Sequence, residues 1–346
     1  MVKPVTGIFA PAGDSQAQKL FASLEELQPG AAGLYYFPED GNPPVCLGRD
    51  EILWNGFDVS RLKTAFVRAY NYSNPVVPPV MEDTDWSLWQ FDYMCEQQKT
   101  SFLYSALAEM QRRGVVMSNA PGVYLDVSMK ADLLERIRAA GVSVPDLICT
   151  NNRSEADAFA DAREHILWRP VTGRAAWQLC LEKQLDALVD TDKTPVLLAG
   201  LESGHFLRCY ISDGEPVLCL KFAPPAQTPL ERLEVFEVAE ENDFYPQLKA
   251  AAAVSNMRWG AVHCVLEDGR ISVYDVDPDP VLRHLPPDVQ DYLTLCLAHG
   301  LLGRSVPAAD ALMQTPLARS LPFLRRMLTV LFDLERSKYA QAASSE

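Results

Sequence analysis

Several things are missing from this sequence, and each absence narrows the field. No two cysteines stand at Cys-x-x-Cys spacing. Cys46, Cys95, Cys149, Cys180, Cys209, Cys219, Cys264 and Cys296 are scattered, most of them within apolar runs. They read as small core residues of a reducing compartment. No apolar run is long enough to span a membrane. Met1-Val2-Lys3-Pro4 leads directly into a short strand-like segment, not into the apolar region of a signal peptide. The expectation is a cytoplasmic protein with no membrane partner. Positive charge is also scarce: 31 Lys and Arg face 46 Asp and Glu, for a net charge of -15. That balance argues against nucleic acid as a partner, while leaving room for a local phosphate site. No internal repeat is present.

The chain's 346 residues, 48% hydrophobic and 22% charged, suit a soluble globular protein of two or three domains. Val5–Ala10 reads as a strand, Asp14–Glu26 as a helix, and Gly33–Phe37, Pro44–Leu47 and Thr64–Arg68 as further strands, an α/β rhythm. Asn71–Asp85 reads as a loop and Gln90–Arg113 as a long amphipathic helix. The turn Ser118–Gly122 is taken as a domain boundary. Ser128–Ala140 reads as a helix capped by Ser128, and Ser154–Ala162 as a helix capped by Ser154. Ile166–Val171 reads as a strand and Gln178–Val189 as a helix. Phe206–Ser212 and Pro216–Phe222 form a hairpin across Asp213-Gly214. Leu230–Val254 is acidic and then helical, and Pro287–Leu302 and Ala308–Glu335 are C-terminal helices. The apolar residues around Leu321 and Phe332 suit either the core or a homo-oligomer interface.

The most informative stretch is Trp259–Pro280, WGAVHCVLEDGRISVYDVDPDP. Two apolar strands, Ala261–Leu266 and Ile271–Val276, flank Asp268-Gly269, a strong hairpin signal. Asp275, Asp277 and Asp279 alternate at the end of the second strand and so face one side. Three such carboxylates either sit in solvent or gather around a cation.

The ordered set of signals resembles the ATP-grasp fold, in particular the branch of the glutathione synthetases and ribosomal-protein glutamate ligases. The carriers are SMKADLLERIRAAGVSVP, ILWRPVTG, Leu198–Glu202, Phe206–Arg208 and YDVDPDP. The resemblance implies an α/β (α+β) chain with a pre-ATP-grasp α/β domain at 1–118. The small and large lobes of the ATP-grasp domain would follow at 119–194 and 195–285, with C-terminal helices and tail at 286–346. It assigns Lys130 and Arg169 to nucleotide phosphates, with Arg where the family has Lys. It places the adenine connection at Leu198–Glu202, with Glu202 on the ribose. Arg208 would be the catalytic cation, and Lys221 would also face the phosphates. The metal positions are Asp275, Asp277 and His263. His263 stands where the family has Asp, and an imidazole suits transition metals better than Mg²⁺; it reads equally as a core histidine. Phe206 replaces another family Asp, and only Gly173 remains of a glycine-rich loop.

The implied activity is that of an ATP-dependent carboxylate–amine or carboxylate–thiol ligase, which forms an acyl phosphate using ATP and Mg²⁺. Its substrates would be small-molecule, peptide or protein acids and amines. The alternative is a degenerate ATP-grasp domain that acts as a nucleotide-binding scaffold or as a subunit of a modification complex.

Overall fold

The computed structural model describes residues 4–37, 45–68, 86–171, 177–180, 185, 195–222, 237–238 and 243–307. The first sheet is parallel, in the order β2-β1-β6-β7: β1 is Thr6–Ala10, β2 Ala32–Tyr36, β6 Thr64–Val67 and β7 Val116–Ser118. Every residue of β1 is buried, because helices cover both faces of a parallel sheet. Helix α1 (Ser15–Leu27) lies on one face; Asp14 caps it, accepting from the Ala17 N–H at 2.7 Å. Helix α2 (Trp86–Arg112) covers the other, where Leu103, Ala106, Leu107 and Met110 pack with Phe9, Ala65 and Val67.

A small antiparallel sheet joins β3 (Val45–Leu47), β4 (Ile52–Trp54) and β5 (Phe57–Asp58). The sequence reading found only the first of these strands. Asn55 and Gly56, at φ 52° and 77°, supply the left-handed turn that closes the second pair.

Two antiparallel sheets follow. The smaller runs β10-β9-β11-β8, with β8 Leu147–Thr150, β9 Ile166–Pro170, β10 Gln178–Leu179 and β11 Val196–Gly200. The larger runs β14-β13-β12-β15-β16, with β12 His205–Ser212, β13 Glu215–Phe222, β14 Glu237–Val238, β15 Trp259–Glu267 and β16 Arg270–Asp277. Both expected hairpins are present. Their tips, Asp213-Gly214 and Asp268-Gly269, have φ of 53° and 80°, and of 49° and 74°. Helices α3 (Pro121–Ser128), α4 (Lys130–Ala139), α5 (Arg153–Asp161), α6 (Tyr245–Val254) and α7 (Pro287–Leu301) complete the described chain. No helix among these residues is long and apolar enough to cross a membrane.

Some expectations need correction. Ser118–Gly122 is not a free turn, because α3 begins at Pro121. Ser128 ends α3 and does not cap α4, whose N-cap is Met129 with no side-chain hydrogen bond. Asn152, not Ser154, caps α5, accepting from the Ser154 N–H at 3.0 Å. Gln178 and Leu179 pair with Trp168 and Leu167 as strand, so no helix starts at Gln178. The expected loop Asn71–Asp85, the Gly173 turn, most of 181–194 and the helix Ala308–Glu335 lie outside the described residues.

Asn119, fully buried, follows β7 of the first sheet and joins it to the large sheet. Its amide donates to the Trp259 and Pro278 carbonyls at 2.6 and 2.7 Å, and its oxygen accepts from the Arg258 and Trp259 N–H groups at 2.9 and 3.0 Å. One side chain thereby ties the start of β15 to the chain leaving β16. Gly260 permits this close approach: a Cβ there would lie 2.5 Å from the Asp277 carbonyl oxygen.

Candidate functional site: a buried charge cluster between two sheets

Asp275 is the centre of the site. It lies on β16 opposite His263 of β15, which in turn lies opposite Arg208 of β12. Cross-strand partners share a face, so the sheet itself brings Arg208, His263 and Asp275 into one row. Two more cations arrive from outside that sheet. Lys130, at the start of α4, donates to Asp275 Oδ1 and to the Val276 carbonyl, the latter at 2.7 Å. Arg169, on β9 of the small sheet, donates to Asp275 Oδ2 at 2.7 Å. Lys130 is 2% exposed and Arg169 0%.

Burial on this scale disfavours charge unless partners restore it. Burial pulls the Lys130 ammonium below its ordinary pKa, and Asp275 opposes the shift. For Asp275 burial acts upward, but Lys130, Arg169 and His263 together hold the carboxyl well below the usual range. Asp275 is therefore an ionised carboxylate at neutral pH. His263 behaves differently. Burial, then the Arg208 charge, lowers it to about 3 against the pull of Asp275. It is a neutral imidazole, and its Nε2 has no hydrogen-bond partner among the described residues.

The three acids of YDVDPDP do not share one environment. Asp275 is held by Lys130 and Arg169. Asp277 is partly exposed and accepts from the Asp279 N–H at 3.0 Å. Asp279 is 3% exposed and pairs with Arg68 at the end of the first sheet. Arg68 also donates to Asp14 at 3.1 Å, so the α1 cap and the end of β16 share one guanidinium.

The remaining expected residues are dispersed. Lys221 lies opposite Leu207, which puts it on the reverse face from Arg208; it does not join the cluster. Glu202 follows β11 in the segment linking the two sheets. Its backbone N–H donates to the Tyr274 hydroxyl at 3.0 Å, and burial raises its carboxyl pKa. Glu202, Gly200, Asp146, Arg163, Glu164 and His165 help line a cavity of about 510 Å³ beside this link. The sequence reading missed Asn119, Arg68 and Tyr274. None of them carries a motif; each acts through contacts distant in sequence.

Among the described residues no group of three or more His, Cys, Asp or Glu is placed to hold a metal ion. Asp275 and Asp277 nevertheless fit a hard cation that takes one or two carboxylates and completes its shell with phosphate and water. The neutral His263 does not fit Mg²⁺.

No family model and no curated protein matches the sequence. Solved structures do match. The chain is similar to the ATP-grasp ligase PsnB, complexed with a phosphomimetic variant of minimal precursor, Mg and ADP: TM-score 0.72, 18% identity, 88% of this chain and 99% of that one. It is similar to the macrocyclase MdnC from Microcystis aeruginosa MRC, bound with precursor peptide MdnA: TM-score 0.66, 13% identity, 86% and 99% coverage. It is also similar to a RimK domain protein ATP-grasp from Sphaerobacter thermophilus DSM 20745: TM-score 0.57, 12% identity, 86% and 99% coverage. The chain has the ATP-grasp fold, over nearly the whole length of each of these proteins.

Proposed function

We propose that this chain is an ATP-dependent ligase that joins a carboxylate to an amine, with a peptide as one of the two substrates. The observation that carries the reading is the convergence of Lys130 from α4, Arg169 from the small sheet, and Arg208 with the two acids of the large sheet. Two sheets meeting over a cluster of cations and paired carboxylates suit the transfer of a phosphoryl group, which depends on positioning and charge neutralisation. The peptide substrate is suggested by PsnB and MdnC, both solved with precursor peptides.

In this reading Lys130 and Arg169 exchange Asp275 for the nucleotide phosphates, which leaves the carboxylate free to hold Mg²⁺ with Asp277. Mg²⁺, when bound, offsets phosphate charge. Arg208 stabilises negative charge on the transferred phosphoryl oxygens. The substrate carboxylate takes the γ-phosphoryl group to give an acyl phosphate and ADP; the amine then attacks the acyl carbon, loses its proton and expels phosphate. His263, uncharged, adds no further positive charge to the row.

A specific observation favours a second reading, that of a nucleotide-binding scaffold without turnover. Phe206 and His263 stand where the resemblance expects acids, and the two phosphate cations are both paired with Asp275. The test is ADP release with Mg²⁺-ATP across peptide acids and amines. Release that depends on both an acid and an amine, and that falls at least tenfold in Arg208→Ala, supports the ligase. Nucleotide binding without release under every combination favours the scaffold.

A further inference from the structure

Tyr274 occupies a place in β16 that regular pairing would not give it. His263 pairs with Asp275 and Cys264 with Val273, which leaves Tyr274 as the extra residue of a β-bulge. Bulges re-aim a side chain and recur beside functional sites. Here the ring is 2% exposed. It lies edge-on to Trp177, with centroids 6.1 Å apart, and tilted against Phe206 at 5.9 Å. Its hydroxyl donates to the Gly200 carbonyl at 2.8 Å and accepts from the Glu202 N–H at 3.0 Å. Burial raises the phenol pKa well above its ordinary value, so the hydroxyl stays protonated and able to donate.

Gly200 and Glu202 lie two residues apart where β11 leaves the small sheet. They present one acceptor and one donor side by side, a pattern that the edge of a planar heterocycle with adjacent amino group and ring nitrogen can satisfy. In the free protein both positions are taken by one phenol, between two aromatic rings. The next residue is Asp275, and Trp177 Nε1 donates to the Tyr274 carbonyl at 2.9 Å. Any movement of Tyr274 is therefore transmitted to the carboxylate that holds Lys130 and Arg169.

We propose that Tyr274 is the internal occupant and gate of the base site: its hydroxyl fills the Gly200–Glu202 acceptor–donor pair, and an adenine base enters only when the ring leaves. This rests on the nucleotide-site reading above. The gate makes the free protein self-satisfied in both halves of its cleft, the phenol standing in for the base and Asp275 for the phosphates. Base entry and release of Asp275 are then one coupled event, because adjacent residues of one bulge carry both.

The experiment is calorimetric titration of the full chain with adenosine and, separately, with Mg²⁺-ATP, comparing wild type with Tyr274→Phe. Removing the hydroxyl leaves a buried carbonyl and N–H without their partner, a state that a base relieves. Tyr274→Phe is expected to bind adenosine about tenfold more tightly than wild type and to gain more in melting temperature from it. Phe206→Leu, which loosens the ring's seat and keeps the hydroxyl, shifts adenosine affinity the same way if Tyr274→Phe does not fold. Wild-type binding of Mg²⁺-ATP, with adenosine affinity unchanged or weaker in both variants, overturns the gate alone. Failure of every form to bind any nucleotide overturns the gate together with the nucleotide site.

Discussion

Asp275 gives one carboxylate oxygen to Lys130 and the other to Arg169, and so joins a helix, the small sheet and the large sheet at one buried point. Removing it takes the paired carboxylate from two buried cations. Breaking one side of a buried ion pair costs about 3–5 kcal/mol. Asp275→Ala is expected to lower the urea midpoint accordingly. Lys130→Met in the Asp275→Leu background is expected to recover part of that loss, since the remaining unpaired ammonium is removed. Additive losses in the double variant would contradict the pairing.

His263 gives a pH dependence with a definite sign. Its folded pKa of about 3 lies below the ordinary value of about 6.5. The unfolded chain therefore binds one more proton than the folded chain between those values. Stability from this group is fully present above about pH 6.5 and is lost, at up to about 1.4 kcal/mol per pH unit, as pH falls toward 3. Denaturation midpoints of wild type and His263→Gln, measured from pH 7 to 5, are expected to diverge, with the variant showing the shallower slope. Asp275 also favours the folded state above its unfolded pKa, but its contribution is lost only below about pH 4, outside that window.

Arg68 bridges Asp14 and Asp279 with only 11% of its side chain exposed. Arg68→Ala removes the guanidinium that Asp279 pairs with and uncouples the α1 cap from the end of β16. A loss of about 3–5 kcal/mol is expected, in line with breaking a buried charge pair, with faster amide hydrogen exchange at both the α1 N-terminus and residues 277–280. Exchange faster at only one of these places would contradict the coupling.

Asn119 makes four hydrogen bonds from full burial. Asn119→Ala leaves two carbonyls and two N–H groups unpaired, at about 1–3 kcal/mol for each group that stays buried and unsatisfied. The variant is expected to be strongly destabilised, and the isosteric Asn119→Asp, which keeps the acceptor and loses the donor, to be intermediate. Equal stability of the two variants would mean that the acceptor side carries little.

Much of this was legible in the sequence, and the pattern of what was missed is physical. Local rules identified the two Asp-Gly hairpins, because a left-handed turn between β-rich runs leaves few alternatives. Strand alternation singled out Asp275, whereas Lys130, Arg169, Arg208 and His263 became candidates only through the resemblance to the ATP-grasp fold, not through any local rule. Local rules could not say that Asp275 would be held by Lys130 and Arg169, 145 and 106 residues away. Alternation placed Asp275, Asp277 and Asp279 on one face but not among one set of partners. Asp279 went to Arg68, a residue with no motif of its own. Tyr274 escaped because its position depends on a bulge, which strict alternation does not reveal. Asn55-Gly56 was a readable turn signal that the strand reading passed over.

The central proposal is that Lys130, Arg169, Asp275 and Asp277 form a Mg²⁺-ATP site. The most direct test is isothermal titration of the wild-type chain and of Asp277→Ala with Mg²⁺ and a non-hydrolysable ATP analogue. Asp277 is the partly exposed acid, so its loss leaves the buried ion pairs intact. The account predicts saturable one-site binding by wild type that requires Mg²⁺ and weakens at least tenfold in Asp277→Ala. No binding by folded wild-type protein, or equal Mg²⁺-dependent affinity in the two forms, would contradict it.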